Sequence, residues 1–226
     1  MGVKVISVLE NILQANEQVA AENRARLDAA GVYAINMMSS PGAGKTALIE
    51  QTLRALSPQV RIGMINGDTT AASMDAERGA QAGAQAVHIN TGGNCHLEAH
   101  MVRQALAALD LSALDLIIVE NVGNLVCPAG WDLGVHARVV VASVTEGADK
   151  PYKYPSMYRG ADVLVLNKID LLPYLDFDTE YFLRGVRLLN PEVQVFQVSC
   201  RTGEGIQAWS AWLRERAMRN RPVRIR

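Results

Sequence analysis

Ser39-Ser40-Pro41-Gly42-Ala43-Gly44-Lys45-Thr46 lies between an apolar run at 32–38 and an amphipathic stretch at 47–56. A glycine-rich turn from a buried strand into a helix limits the available folds more than any other segment here. Glycines let backbone N–H groups curl around phosphate oxygens, and the helix N-terminus adds its positive dipole end. In that setting Lys45 reaches the β- and γ-phosphates, and the Thr46 hydroxyl ligates magnesium. Gly42, Ala43, Gly44 and Ala47 complete the expected nucleotide contacts in this segment. The usual pattern opens with glycine, and Ser39 departs from it at the loop entry. A helix-capping turn that merely contains Gly-Lys-Thr is the plain alternative; the strand before it and the helix after it weigh against that.

Short apolar runs recur at 32–38, 60–65, 86–89, 116–119, 137–144, 163–166 and 193–198. Amphipathic stretches at 47–56, 75–82 and 97–109 fall between them, and a last helix is expected at 206–218. This alternation predicts an α/β fold, a P-loop NTPase with a mostly parallel sheet and helices on both faces. Ahead of it, Val5, Val8, Leu9, Ile12 and Leu13 recur at helical spacing. They predict an amphipathic N-terminal helix within residues 1–30 that docks on the domain, the polar run 14–26 continuing or ending it. The nucleotide-binding domain is expected over 31–218, and 219–226 reads as a frayed basic tail.

The bulk numbers exclude several classes. A hydrophobic share of 49% supports a packed core, and 20% charged residues is ordinary for a soluble protein. A net charge of -1 gives no electrostatic case for nucleic acid or an anionic membrane as partner. No signal peptide is read at the start, and no apolar run is long enough to span a bilayer. Three cysteines do not make a disulfide framework, and a reducing cytoplasm is the simplest compartment.

Leu116-Ile117-Ile118-Val119-Glu120 is an apolar strand ending in a carboxylate. Glu120 followed by Gly123 fits a magnesium-side carboxylate and a glycine that senses the γ-phosphate. Asp68, after the strand near 61–65, is a further catalytic candidate; a loop-starting cap is an equally good reading of it.

Asn167-Lys168-Ile169-Asp170 closes the apolar run 163–166. A carboxylate at Asp170 accepts hydrogen bonds from guanine N1–H and its exocyclic amine, whereas adenine turns a lone pair toward it. Such a site discriminates by roughly 10⁴-fold or more, because the mismatch buries an unsatisfied charge. Asn167 holds the loop, the Lys168 stem lies along the base, and Ser199-Cys200-Arg201 is placed to offer backbone N–H to the guanine oxygen. GTP and GDP are the expected nucleotides.

Cys95-His96 and Cys127 put soft ligands on two loops at the same expected sheet edge. Thiolate and imidazole suit nickel or zinc, while magnesium prefers carboxylate and water. Cys95 and His96 are expected to open a helix, whose positive end favours a thiolate. Cys127 follows Glu120 by seven positions, on the loop that would sense the γ-phosphate. A lone cysteine is more often a small buried hydrophobe, so placement carries this reading. His100, four residues after His96, is a candidate for a second site; a solvated helix histidine is at least as good a reading.

These blocks together resemble the HypB family of hydrogenase maturation GTPases. The resemblance runs from about Val3 to Trp212. Its strongest segments are Pro41 to Thr46, Thr91 to Ala99, Glu120 to Pro128, Ser143 to Pro151 and Asn167 to Asp170. It implies a SIMIBI-type G domain. It also implies nickel or zinc on Cys95, His96 and Cys127 near a nucleotide-dependent homodimer interface. The implied partners are a HypA-like nickel protein and the hydrogenase large-subunit precursor. Residues 1–31 contain no Cys and no His, so the N-terminal nickel-binding motifs of many members are absent. Val135 stands where the family pattern leads one to expect a carboxylate.

The expectation is a slow GTPase acting as a metallochaperone switch, in which Lys45, Thr46, Asp68 and Glu120 gather around Mg-GTP and draw in the Gly123 loop. Neither an efficient water-activating base nor an arginine finger is evident. Lys150 and Lys153 are candidate nucleotide contacts, with solvated loop positions an even alternative. Three other readings compete with it. A urease-type or cobalamin-type GTPase is disfavoured by Ala129 after Cys127-Pro128 and by the extra Cys95-His96. A small-molecule kinase is disfavoured by the guanine signature. A non-enzymatic scaffold that holds GDP is the third.

Overall fold

The computed structural model describes residues 8–57, 59–70 and 74–219. The expected role of Val5, and all of the basic tail beyond Arg219, lie outside the described residues. All seven apolar runs become strands: β1 (Tyr33–Ser39), β2 (Ile62–Asp68), β3 (Gln85–Asn90), β4 (Leu116–Glu120), β5 (Ala137–Ser143), β6 (Val163–Asn167) and β7 (Gln194–Gln197). They form one sheet in the order β3-β2-β4-β1-β5-β6-β7, and every pairing is parallel. The helices are α1 (Val8–Ala30), α2 (Lys45–Leu56), α3 (Met74–Gln81), α4 (Ala99–Ala108), α5 (Lys150–Lys153), α6 (Pro155–Arg159), α7 (Thr179–Leu189) and α8 (Ile206–Arg219).

Central strands buried on both faces need continuous apolar sequence, and β1, β4 and β6 are buried along their whole length. Side-chain alternation then divides the core. Ile35 and Met37 face α2 and α8 with Leu48, Leu53, Trp209 and Leu213. Trp209 keeps its polar handle satisfied by donating from Nε1 to Thr52 Oγ1 at 2.8 Å. Ala34 joins Leu27 of α1 and Val102 and Leu106 of α4 in a second cluster. Met38 joins Met157, Phe182 and Val186 in a third, beneath α6 and α7.

The polar run at 14–26 continues α1 rather than ending it. Ile12 is 46% exposed, while Asn16, Ala20, Asn23 and Leu27, which continue the same face, are buried. These four recur at i, i+4, i+7 and i+11, one helical face, with two amides in it. Val135 is buried in the cluster that holds Leu27 and Leu133, so the expected acidic position serves here as core.

Parallel strands bring all their carboxyl ends to one edge. Ser39, Asp68, Asn90, Glu120, Ser143 and Asn167 each end a strand there. The order reverses around β1, whose successive neighbours are β4 and β5. Ligands of open α/β sheets bind at such a switch point.

Candidate nucleotide and metal site

The turn from β1 into α2 takes the conformations its glycines permit: Gly42 and Gly44 have φ of 78° and 96°. Gly44 is also held by a close approach, since a Cβ there would meet Asn167 Nδ2 at 2.4 Å. Asn167 Nδ2 donates to Ala43 O at 3.0 Å, and Lys168 Nζ donates to Gly42 O at 2.7 Å. The guanine signature is thus tied directly to the phosphate loop. Lys168 adopts φ 62°, the one positive value among described non-glycine residues.

Beside this contact lies a cavity of about 470 Å³, lined by Gly44, Ala47, Asn167, Lys168, Asp170, Leu171, Cys200 and Arg201. Ser199 Oγ donates to Asp170 Oδ1 at 2.6 Å, fixing the carboxylate, and Cys200 N donates to Asn167 Oδ1 at 3.3 Å. Burial pushes the Cys200 thiol up to about 11, so it stays protonated at neutral pH. Lys153 pairs with Asp149 and Lys150 stands 5.4 Å from the Tyr154 ring centre; neither lines the cavity.

At the other end of the loop, Lys45 Nζ donates to Ser39 Oγ at 3.2 Å and stands 3.9 Å from Glu120 Oε1. The departure at Ser39 therefore supplies a ligand for the loop lysine. Thr46 Oγ1 donates to Glu120 Oε1 at 2.8 Å and reaches Asp75 Oδ2 at 3.4 Å. Burial lowers the Lys45 pKa and raises that of Glu120, each opposed by the attraction between them. Hydroxyl and carboxylate oxygens around a buried, under-compensated acid are the donor set a hard cation such as magnesium takes.

Asp68 lies near enough to Lys45 for its charge to act on the ammonium, and it also closes a turn. Its Oδ1 accepts from Thr70 N at 2.9 Å and from Thr70 Oγ1 at 3.1 Å, capping the turn after β2. Burial pushes its carboxyl up, but the Thr70 and Thr69 hydrogen bonds outweigh that and hold it below its ordinary value. The acid beside Thr46 is Asp75, in the first turn of α3. Asn66 was also missed. It donates to Glu120 Oε2 at 3.1 Å, and its Oδ1 lies 2.8 Å from His88 Nδ1, whose Nε2 lies 3.0 Å from Thr70 O. No local motif marks these residues; their shared sheet edge is the only signal.

Cys95, His96 and Cys127 converge, with one ligand atom from each lying within 4.8 Å of the others. All three cysteines of the chain are free. Cys95 and His96 do not open a helix: Gly92 and Gly93 take φ of 63° and 96°, and α4 begins only at Ala99. The hydrogen bond to Cys127 raises the Cys95 pKa, with burial adding to it. Burial lowers the His96 pKa, favouring the neutral imidazole that binds metals. Its buried Nε2 has no hydrogen-bond partner, with Glu98 Oε1 3.8 Å away. The other ring nitrogen, Nδ1, lies 3.8 Å from Cys95 Sγ, and an imidazole with two thiols is a donor set that fits a nickel or zinc ion. Trp131 stacks on the His96 ring, centroids 4.7 Å apart. His100 lies outside this cluster and pairs with Glu98 at 3.3 Å.

Two contacts join the metal loops to the nucleotide edge. A Cβ on Gly123 would sit 3.3 Å from Pro41 Cα, so the loop carrying Cys127 rests against the phosphate loop. Asn121 Oδ1 accepts from Leu97 N at 3.0 Å, tying the end of β4 to the residue after His96.

Residues 33–197 match the family model described as CobW/HypB/UreG, nucleotide-binding domain. The hydrogenase maturation factor HypB of Rhizobium leguminosarum bv. viciae is 49% identical over 216 residues, which is 96% of this chain and 72% of that protein. The chain belongs to the HypB family. HypB of Escherichia coli K12 is 44% identical over 93% of this chain and 72% of its own length. The HypB structure from Helicobacter pylori, solved in complex with nickel, superposes with a TM-score of 0.86 at 34% identity, covering 94% of this chain and 100% of that one. HypB from Archaeoglobus fulgidus gives a TM-score of 0.84 at 39% identity over 90% of this chain and 99% of its own. The HypB assignment agrees with both the sequence resemblance and the fold. No described helix is long and apolar enough to cross a membrane.

Proposed function

We propose that the protein is a slow GTPase that couples its nucleotide state to nickel binding and delivers nickel during [NiFe]-hydrogenase maturation. The observation that carries this reading is Gly123 packed on Pro41, with Cys127 four residues further along the same loop. A change at the γ-phosphate moves the Gly123 loop, and Cys127 then shifts relative to Cys95 and His96. Switches of this kind order a loop around the γ-phosphate and release it on hydrolysis.

Thr46 and Glu120 would hold magnesium, which supplies charge neutralisation at the β- and γ-phosphate oxygens. The residues of the chain do the rest. Gly42, Ala43, Gly44 and Ala47 offer the loop backbone, Lys45 leaves Ser39 for the phosphates, and Asp75 and Asn66 steady the Thr46–Glu120 pair. Asn167, Lys168 and Asp170 select guanine, with Ser199 orienting Asp170 and Cys200 offering its backbone N–H. Nickel is the cargo. Two thiols and one imidazole leave a coordination position open, which a second copy of the chain fills in a homodimer. A HypA-like nickel protein and the hydrogenase precursor are the partners before and after it, in the cytoplasm. Zinc takes the same ligands.

Single-turnover hydrolysis of GTP separates this reading from a scaffold that merely holds GDP. Phosphate release that requires magnesium and Lys45 supports the GTPase; release no faster than in buffer removes it.

A further inference from the structure

The two metal-bearing loops leave the site through Ala99 on one side and Asp132-Leu133 on the other. Both exits are held by α1. Asn16 Oδ1 accepts from Ala99 N at 2.8 Å while its Nδ2 donates to Asp132 O at 2.7 Å. Two turns further along the same face, Asn23 Nδ2 donates to Ala99 O at 2.9 Å and to Leu133 O at 3.0 Å. Each amide therefore spans the gap between the two segments, and both amides are buried. Arg24 adds a bond from Nε to Gly134 O at 3.2 Å. Gly134 lies so close to the helix that a Cβ there would meet Ala20 O at 2.1 Å.

Packing alone does not call for this chemistry. Leu27 and Ala20 already bury α1, and an apolar side chain at position 23 would avoid the unpartnered Asn23 Oδ1 that the bridge leaves behind. What the amides add is direction and spacing. Ala99 is three residues after His96, and Asp132 follows Trp131, the ring stacked on His96.

We propose that Asn16 and Asn23 are positioning residues for the metal site: through them α1, which precedes the nucleotide-binding domain, sets the separation of the Cys95-His96 and Cys127 loops. The inference rests on the reading of Cys95, His96 and Cys127 as nickel ligands. It makes α1 a structural part of the metal site although no described residue of α1 is among the candidate ligands.

The test is a Ni²⁺ titration of the full GDP-bound chain, read by thiolate-to-nickel charge-transfer absorption, beside the affinity for a fluorescent GDP analogue. Asn23→Ala removes both of its donors. Asn16→Asp keeps the acceptor for Ala99 N and loses the donor to Asp132 O, so it severs the bridge while keeping the cap on α4. About tenfold weaker nickel binding with a shifted band is expected in each, with GDP affinity held within about twofold; outer contacts of metal ligands have effects of this size. Unchanged nickel binding in the folded variants overturns the inference. So does a parallel loss of nickel and GDP affinity in Asn16→Asp, which would mark a general structural role. Should Asn23→Ala fail to fold, Asn16→Asp decides alone. A wild-type chain with no nickel–thiolate band would instead remove the metal reading itself, and this inference with it.

Discussion

Trp131 stacks on the His96 imidazole with ring centroids 4.7 Å apart and planes 28° apart, so the two metal-bearing loops touch through an aromatic pair as well as through their thiols. Such a pair contributes about 0.5–1.5 kcal/mol beyond the area it buries. Trp131→Ala should weaken Ni²⁺ binding several-fold, and Trp131→Phe should restore most of it. Nickel should also quench Trp131 emission, read against the Trp131→Phe background. Equal nickel affinity in all three proteins would mean the stack does not hold the ligand.

The Thr46–Glu120 pair is the corresponding test at the nucleotide. Replacing Glu120 by Gln keeps the shape and removes the charge that faces Thr46 and Lys45. Single-turnover GTP hydrolysis should fall on the order of 10²-fold, the scale of a lost transition-state charge contact. Asp68→Asn, which alters a turn cap, should cost clearly less. A larger loss for Asp68→Asn than for Glu120→Gln would reverse the roles assigned to them.

Guanine selection depends on one carboxylate, held by Ser199 at 2.6 Å. Asp170→Asn turns one acceptor into a donor. GDP affinity should drop by roughly 10²-fold or more, and xanthosine diphosphate, with a carbonyl where guanine has its amine, should bind instead. Competition binding with the two diphosphates decides it. An unchanged preference for GDP would place the base elsewhere.

His136 supplies a pH dependence unconnected with the site. Its Nδ1 accepts from Ala34 N at 2.9 Å, and its Nε2 lies 3.0 Å from Asp28 Oδ1. Burial holds its pKa below the ordinary value of 6.5, opposed by Asp28. A histidine pKa depressed in the folded state means the unfolded chain binds the extra proton more readily. The stability it contributes is therefore complete above the unfolded value and lost as pH falls through it. Melting temperatures of the wild type and His136→Gln should converge between about pH 7.5 and 5. A gap that widens toward acid would contradict the sign.

The sheet was legible because its central strands β1, β4 and β6 are short apolar runs bounded by turns, and their burial on both faces leaves no polar alternation to confuse with helix. The start of α4 was not. Gly92 and Gly93 take positive φ, and Thr91 Oγ1 donates to Asn94 O at 2.7 Å, closing a turn that delays the helix to Ala99. Apolar periodicity marks the α1 face that begins at Ile12, but it does not show that buried amides at Asn16 and Asn23, further along that face, make the attachment. At the site, Lys45, Thr46, Asn167 and Asp170 announce themselves by local motif. Asn66 and Asp75 do not, since Asn66 meets Glu120 across 54 positions and Asp75 meets Thr46 across 29. Only the strand order brings them together.

In the proposed switch, nucleotide state changes the metal site through the Gly123 loop. Ni²⁺ titrations of the GDP form and of the form bound to a non-hydrolysable GTP analogue, followed by thiolate charge-transfer absorption, test it most directly. The coupling predicts a difference in affinity or band shape between the two forms, within the few kcal/mol typical of linked sites, that disappears in Cys127→Ala. Superimposable titrations in both nucleotide states would contradict it, leaving a GTP site and a nickel site that share a sheet edge without exchanging energy.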